Sequence, residues 1–568
     1  MTTMPDEKKL SDNPANANEQ VAFGQSHETS LANVGGLHRR LNNRQIQLIA
    51  AGGSIGTALF INIGGGLAKG GPANLFITFA LYSGVLALVN NSIAEMSTHM
   101  PVAGGFVRLA GAWVDDAFGV MAGWNFFFYE ALTIPFEITA LTFVLGFWSD
   151  RVSKSGVTAA ICAVCIVLYG LLNVAAVKFY GESEFWLSGG KILLIFILFF
   201  FVFISMVGGN PQNDAYGFRY WSSPGAFAKY RSEGDLLGHF EGFLAALWTA
   251  AFTIVGPEYI SMVAAEARRP SIYVKSAFIT VYYRFCLFFV LGALCVGIAV
   301  PYNEPRLVEI FIDGTSSGGS AASSPYVIAM ANLGIEGLPH LVNALLLTTI
   351  FSAGNTYTYC ASRTLYGLAL EGRAPAFLRY TNSQGVPLYA FAVVMCFPFL
   401  SFLQVSNGSS EVLNWLVTYR ITTGGALINF VVISVTFLFY YRACKAQGVD
   451  RRTRFYYGRF QPYGAWAALI IQVAILFCYG YSGFAPATVS GFFANYTMQL
   501  LAFVTFFGWK LIRKTKFVKA KDCDLVWERP AIDQYEAQDM SPITGFWEEI
   551  GHLIGIKKSK TGEELRQV

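Results

Sequence analysis

Apolar blocks of about 20 residues recur along this chain, and they decide most of what it can fold into. A run of that length crosses the hydrocarbon core of a bilayer as a helix, because lipid offers the backbone no hydrogen-bond partner. The blocks predict twelve spans, at roughly 46–67, 74–96, 120–147, 157–177, 189–207, 241–264, 276–300, 339–366, 386–403, 412–440, 465–481 and 489–511. Only 13% of the 568 residues are charged, against about 25% in an ordinary soluble domain. The expected fold class is therefore an all-α polytopic membrane protein. It divides into a polar, cytosolic disordered tail at 1–44, a twelve-span domain at 45–511 and a second cytosolic tail at 512–568. Within the last, "SPITGFWEEIGHLIGI" has the pattern of a short amphipathic helix on the membrane surface. No apolar signal region precedes span 1, so that span itself is expected to direct insertion.

An even number of spans puts both tails on one side, and basic residues choose the side. Arg39, Arg40 and Arg44 precede span 1, and Arg268, Arg269 and Lys275 follow span 6. Loop 10–11 holds Arg442, Lys445, Arg451, Arg452, Arg454 and Arg459, and Arg513, Lys514, Lys516 and Lys519 follow span 12. Loops 9–10 and 11–12 hold no Lys or Arg, and loop 7–8 only Arg306. Loop 5–6 departs from the rule with Arg219, Lys229 and Arg231, but long loops cross with little regard to charge. Both termini are thus expected in the cytosol. The basic residues follow this topology, so they call for no nucleic acid.

Enzymatic motifs fail on inspection. "GGGLAKGG" lacks the Ser or Thr after its lysine and follows no strand, so it is no phosphate loop. Six histidines show no metal-ligand spacing, and none of the nine cysteines falls in an external loop, so no metal, cofactor or disulfide framework is expected. The 49 Phe, 28 Tyr and 11 Trp are expected mostly on lipid-facing and interfacial surfaces.

Span 1 carries the chemistry. "LIAAGGSIGTALFINIGGG", residues 48–66, places six glycines in a would-be helix, where each costs about 1 kcal/mol relative to Ala. Non-helical backbone at membrane depth is tolerated where protein buries it. A break at Gly52-Gly53-Ser54-Ile55-Gly56-Thr57 would free N–H groups for a carboxylate and carbonyls for an ammonium. Close helix packing is the alternative use of the same glycines. Gly256-Pro257, inside span 6, removes a helical hydrogen bond. Two interrupted spans five apart fit an inverted repeat of five-plus-five spans with discontinuous helices 1 and 6.

The motifs "AAGGSIGTALF", "GAWVDDAFGVMAGWNFFF", "GESEFWLSGGKILLI", "AAFTIVGPEYISMVAAEARRP", "FSAGNTYTYCASRTLYGLALEGRAPAFL" and "FQPYGAW" together give a resemblance over roughly residues 37–530. The chain resembles the fungal amino-acid permeases of the amino acid–polyamine–organocation superfamily. That resemblance implies the five-plus-five fold with two added helices, and proton-coupled amino-acid uptake across the plasma membrane with no cofactor beyond the proton gradient. It implies a substrate carboxylate on the N–H groups around Gly56, Thr57 and Ala58. The substrate ammonium would meet carbonyls near Ser54, Phe252, Val255 and Gly256, with Phe252 as an aromatic gate. Relatives commonly have glycine where Ala58 stands, and the added methyl of Ala58 would narrow the site.

Charged residues inside spans cost about 2.5–3.5 kcal/mol each on insertion scales and so mark function. Lys191, at the end of "EFWLSGGK", either snorkels to the cytosol or, as the resemblance suggests, sits by the span 1 break as a proton-coupling charge. Glu137 and Glu258 match acidic positions of the family and are expected in architecture or coupling. Glu130 lies two turns before Glu137 on the same face. Arg420 would either pair with Glu130 or face the substrate side chain, the latter favouring an acidic amino acid as in the dicarboxylic branch. Arg284 is expected to snorkel. Asn355 is either a functional polar contact in span 8 or a helix–helix hydrogen bond.

Two competing readings are a non-transporting amino-acid sensor and a broad-range permease or exchanger without proton coupling. Expected partners are the substrate, protons and membrane lipid, with ubiquitin ligases or trafficking adaptors at tail lysines such as Lys8, Lys9, Lys557 and Lys558.

Overall fold

The computed structural model describes residues 39, 41–175, 177–232, 234–313, 324–405, 419–481, 489–538, 545 and 548–549. The Asn407 glycosylation sequon, most of the "SPITGF" segment and the tail lysines at 8, 9, 557 and 558 lie outside them.

The described chain is helical. In order come α1 (Asn43–Ser54), α2 (Ile63–His99), α3 (Gly105–Trp113), α4 (Asp116–Leu145), α5 (Ser155–Ala175) and α6 (Val177–Met206). Next are α7 (Asp235–Thr253), α8 (Pro257–Val263), α9 (Pro270–Arg284), α10 (Leu291–Ala299), α11 (Pro325–Asn332) and α12 (Gly337–Leu370). The series ends with α13 (Leu388–Val394), α14 (Tyr419–Ala446), α15 (Tyr463–Cys478), α16 (Val489–Arg513) and α17 (Arg529–Gln538). Among the described residues, nine helices are long and apolar enough to cross a membrane. One of them, Ala58–His99, joins expected spans 1 and 2 across a kink at Gly71, whose φ of 80° suits glycine. A Cβ there would stand 2.6 Å from the Ala228 nitrogen, so the turn fits only where no side chain intervenes.

Packing sorts the faces. Leu193, Phe196, Phe200 and Phe203 on α6 and Val164, Val167 and Leu171 on α5 are exposed, which suits a lipid-facing surface. The opposite faces hold the core. Helix α12 packs along α4, α2 along α7, and α1 lies between α6, α8 and α12. Leu41, just before α1, forms a parallel bridge to Ala267, with Leu41 N–H donating to the Glu266 carbonyl at 2.9 Å. The two broken spans are therefore tied at one end.

At that end the segment after α16 runs back across the molecule. Trp113 Nε1 donates to the Asp524 carbonyl (2.9 Å), Arg529 to the His99 carbonyl (3.0 Å), and Glu536 accepts from the Ser271 N–H (2.8 Å). Arg108 bridges Glu371 (2.5 Å) and Glu528 (2.6 Å). Arg284 corrects an expectation: its guanidinium is buried and, among the described residues, reaches only the Ala277 carbonyl at 3.5 Å. Helix α9, which ends at Arg284, packs against α1 and α2.

Candidate functional site

The site forms where α1 and α7 stop. Helix α1 remains helical through Gly52, Gly53 and Ser54, so the break is shorter than the sequence suggests. It is confined to Ile55 and Gly56, after which the chain resumes helical geometry at Thr57 and makes a π-turn over Ala58–Asn62. The second break, Ile254–Gly256, separates α7 from α8. Gly256 takes φ 144°, and a Cβ there would sit 3.0 Å from the Ser54 Cβ. The two breaks thus face each other at contact distance.

Each broken end has found polar partners. A helix leaves its last carbonyls without intrahelical donors, and Lys191 Nζ from α6 donates to the Gly52 carbonyl at 2.6 Å. A cation at a helix C-terminus also meets the favourable end of the helix dipole. Lys191 is fully buried, so it does not snorkel. Its ammonium is 4.0 Å from Glu184 Oε1, which also accepts from Ser188 (2.9 Å) and from Ser352 of α12. Gly52 has no room for a side chain, since a Cβ would fall 2.1 Å from Glu184 Oε1.

On the far side of the break, Thr57 donates its hydroxyl to Glu137 Oε2 and presents its N–H to the same carboxylate. Glu137 thereby occupies the position that the family resemblance implies for a substrate carboxylate. Gly56 lets this happen, because its Cβ would lie 3.1 Å from both Glu137 Oε1 and the Ala353 Cβ. Ser54 turns its hydroxyl back onto the Ala50 and Ala51 carbonyls, both at 3.0 Å, and away from the break. Glu258 Oε2 accepts from the Gly256 N–H at 3.1 Å and so caps the start of α8. Val255 is buried in the second break, and Phe252 packs edge-on against Phe136 with centroids 5.9 Å apart. Ala58 is half-buried at the start of the π-turn.

A tyrosine cluster completes the site, and sequence reading missed it by assigning aromatics to lipid. A Cβ on Gly53 would stand 2.8 Å from the Tyr259 ring, and one on Gly56 would be 3.5 Å from the Tyr357 hydroxyl. Tyr259 and Tyr357 have centroids 6.2 Å apart, and the Tyr129 and Tyr259 hydroxyls approach to 3.4 Å. Glu130 is fully buried beside them, within electrostatic reach of Glu258. Arg420 lies in α14, but its side chain falls outside the described residues, so neither its pairing with Glu130 nor its facing the substrate is placed. Asn355 Oδ1 accepts from Asn173 at 2.7 Å, a helix–helix hydrogen bond between α12 and α5, while its Nδ2 is buried without a partner among the described residues. One turn beyond Tyr359, Arg363 pairs with Glu266 at 3.1 Å, both buried.

Glu184 was the most legible of the missed residues, since it stands two turns before Lys191 on one helix face.

In sequence, the chain is similar to known proteins. The family described as amino acid permease matches residues 45–522. The general amino acid permease AGP2 of Saccharomyces cerevisiae is 42% identical over 510 residues, which cover 88% of this chain and 84% of that protein. A proline-specific permease of Emericella nidulans is 36% identical over 517 residues, 90% of this chain and 92% of that protein. The dicarboxylic amino acid permease of Saccharomyces cerevisiae is 35% identical over 507 residues, 88% of this chain and 82% of that protein. A family match over most of the sequence, with full-length relatives at this identity, establishes that the chain belongs to the amino acid permease family.

Proposed function

We propose that this membrane protein, a permease and not an enzyme, takes up an amino acid together with protons across the plasma membrane, with both termini in the cytosol. The reading includes twelve spans in a five-plus-five inverted repeat, with a bundle of spans 1, 2, 6 and 7 rocking against spans 3, 4, 8 and 9. The observation that carries it is Glu137 on Thr57. A side-chain carboxylate already holds the helix start that a substrate carboxylate would need. Two carboxylates cannot share that position while both are charged, so substrate entry favours a proton on Glu137 or its displacement. Lys191 would hold the other side of the break and sense the same exchange through the Gly52 carbonyl. The proton gradient supplies about 1.4 kcal/mol per pH unit, and the membrane potential about 2.3 kcal/mol per charge per 100 mV.

An acidic substrate preference would rest on Arg420 and on the likeness of "GGNPQNDAYGFRYW" to the dicarboxylic branch; against it stand the buried carboxylates of Glu130, Glu137 and Glu258, with Lys191 the cation at the break. The relatives named for general, proline and dicarboxylic transport do not choose among substrates.

The test is radiolabelled uptake of glutamate, arginine, leucine and proline at pH 5 and pH 7.5, in cells lacking their own permeases. Uptake that is stronger at pH 5 and collapses with a proton ionophore supports symport. Binding without uptake under every condition would favour a sensor.

A further inference from the structure

Glu130 lies about 10 Å from Glu137, by seven residues of helical rise along α4, on the side toward the Glu266–Arg363 pair. It is fully buried, and neither of its oxygens makes a well-formed hydrogen bond, although the Tyr259 hydroxyl is within reach. Glu258, its acidic neighbour, spends one oxygen on Gly256 and leaves Oε1 unbonded. Among the described residues no Lys or Arg forms an ion pair with either. The nearby cations are engaged elsewhere, Lys191 with Gly52 and Glu184, and Arg363 with Glu266.

A buried carboxylate without a counter-charge is expensive, and a cation that reached it from outside would relieve that cost. The surroundings suit a cation in a second way. Tyr129, Tyr259 and Tyr357 gather beside both acids, and an ammonium or guanidinium is attracted to an aromatic face as well as to a carboxylate. Their placement joins them to the substrate region, because the Tyr259 ring abuts Gly53 and the Tyr357 hydroxyl lies near Gly56.

Resting on the amino-acid transport reading above, we propose that Glu130 receives a positive charge at the end of the substrate's side chain. The substrate is then an α-amino acid whose side chain ends in an ammonium or guanidinium group. Its backbone sits at the facing breaks, and its stem runs along α4 past Tyr357 and Tyr259 to Glu130, with Glu258 adding negative potential. A three- or four-carbon stem bridges the separation between the two ends of the site; a short neutral side chain leaves Glu130 unmet.

Uptake of radiolabelled lysine, arginine, leucine and glutamate by the full-length chain tests this, in cells without their own permeases and with surface protein measured. Lysine or arginine is expected to exceed leucine, and Glu130→Gln to lower the lysine-to-leucine uptake ratio at least ten-fold. Glu130→Asp, which keeps the charge on a shorter arm, should shift preference from lysine toward the longer arginine. Should Glu130→Gln fail to reach the surface, that shift is the deciding readout. Transport of leucine or glutamate with no cationic substrate overturns the proposal and leaves the transport reading standing. A Glu130→Gln variant that depresses every substrate alike also overturns it. Surface-located wild-type protein that takes up nothing defeats the transport reading itself.

Discussion

Replacing Lys191 by Met tests whether the charge at the span 1 break serves coupling or only architecture. Met keeps an unbranched, flexible stem of similar reach but removes the ammonium that donates to the Gly52 carbonyl at 2.6 Å. It also removes the cation 4.0 Å from Glu184. At that separation the pair attracts by about 4 kcal/mol if the effective dielectric is near 20. Breaking one side of a buried pair costs roughly 3–5 kcal/mol, because the remaining charge keeps its desolvation penalty. Ser188 and Ser352 still donate to Glu184, so the lower end of that range is expected. Lys191→Met/Glu184→Gln should recover more than half of the loss, since an amide needs no counter-charge. Thermal unfolding of the purified protein reads this part of the prediction.

Function separates the two roles. In proteoliposomes, both variants are expected to lose accumulation driven by an imposed pH gradient while retaining counterflow exchange of substrate. If the double variant regains stability and also regains gradient-driven accumulation, Lys191 is architectural and the coupling argument fails. If Lys191→Met accumulates substrate as wild type does, the node plays no part in either.

Gly52→Ala puts a methyl 2.1 Å from Glu184 Oε1 and 2.8 Å from Ser188 Oγ; a loss of about 1–3 kcal/mol in stability is expected, with transport falling further than surface abundance in an uptake assay. Arg363→Ala strands the buried Glu266 carboxylate, so thermal stability should drop by roughly 3–5 kcal/mol, with part of it restored by adding Glu266→Gln. Burial alone would raise the Asp115 carboxyl, but the Lys510 ammonium and the Ala117 N–H hold it below the usual carboxylate range. A lowered folded value means its stabilisation is present above the unfolded value, about 3.9, and fades as pH falls below it. Asp115→Asn, still able to cap α4, should therefore narrow the gap in melting temperature to wild type as pH drops from 6 toward 3.

The apolar runs made nine spanning helices legible among the described residues, because length and lack of charge suffice to mark a helix in lipid. The interruption of span 6 was legible too, since proline at Pro257 cannot continue a helix and Gly256 supplies the positive φ beside it. What the sequence hides is which face of a helix turns inward. Tyr129, Tyr259 and Tyr357 resemble interfacial residues in composition, yet all three are buried, with Tyr259 against Gly53 and Tyr357 near Gly56. Arg284 misleads for the same reason: distance from the cytosolic end says nothing about the helices that enclose it. Lys191 and Glu184 could be placed on one face by spacing, but the Gly52 carbonyl that joins them comes from a helix nearly 140 positions away.

The six glycines of span 1 posed a choice between close packing and a broken helix, and the geometry makes these one property. Gly52 and Gly53 stay helical, and each is pressed by a side chain, Glu184 on one and Tyr259 on the other. Only Gly56 lies in the non-helical stretch, and there Glu137 and Ala353 close in. Without close approach at Gly52, neither Glu184 nor Lys191 could reach the helix end; without a helix end, Lys191 would find the Gly52 carbonyl already bonded within the helix. The packing glycines thus bring acids, a cation and tyrosines to the backbone that the break exposes. The conformational cost of about 1 kcal/mol per glycine is offset where a helix end is needed in the middle of a span.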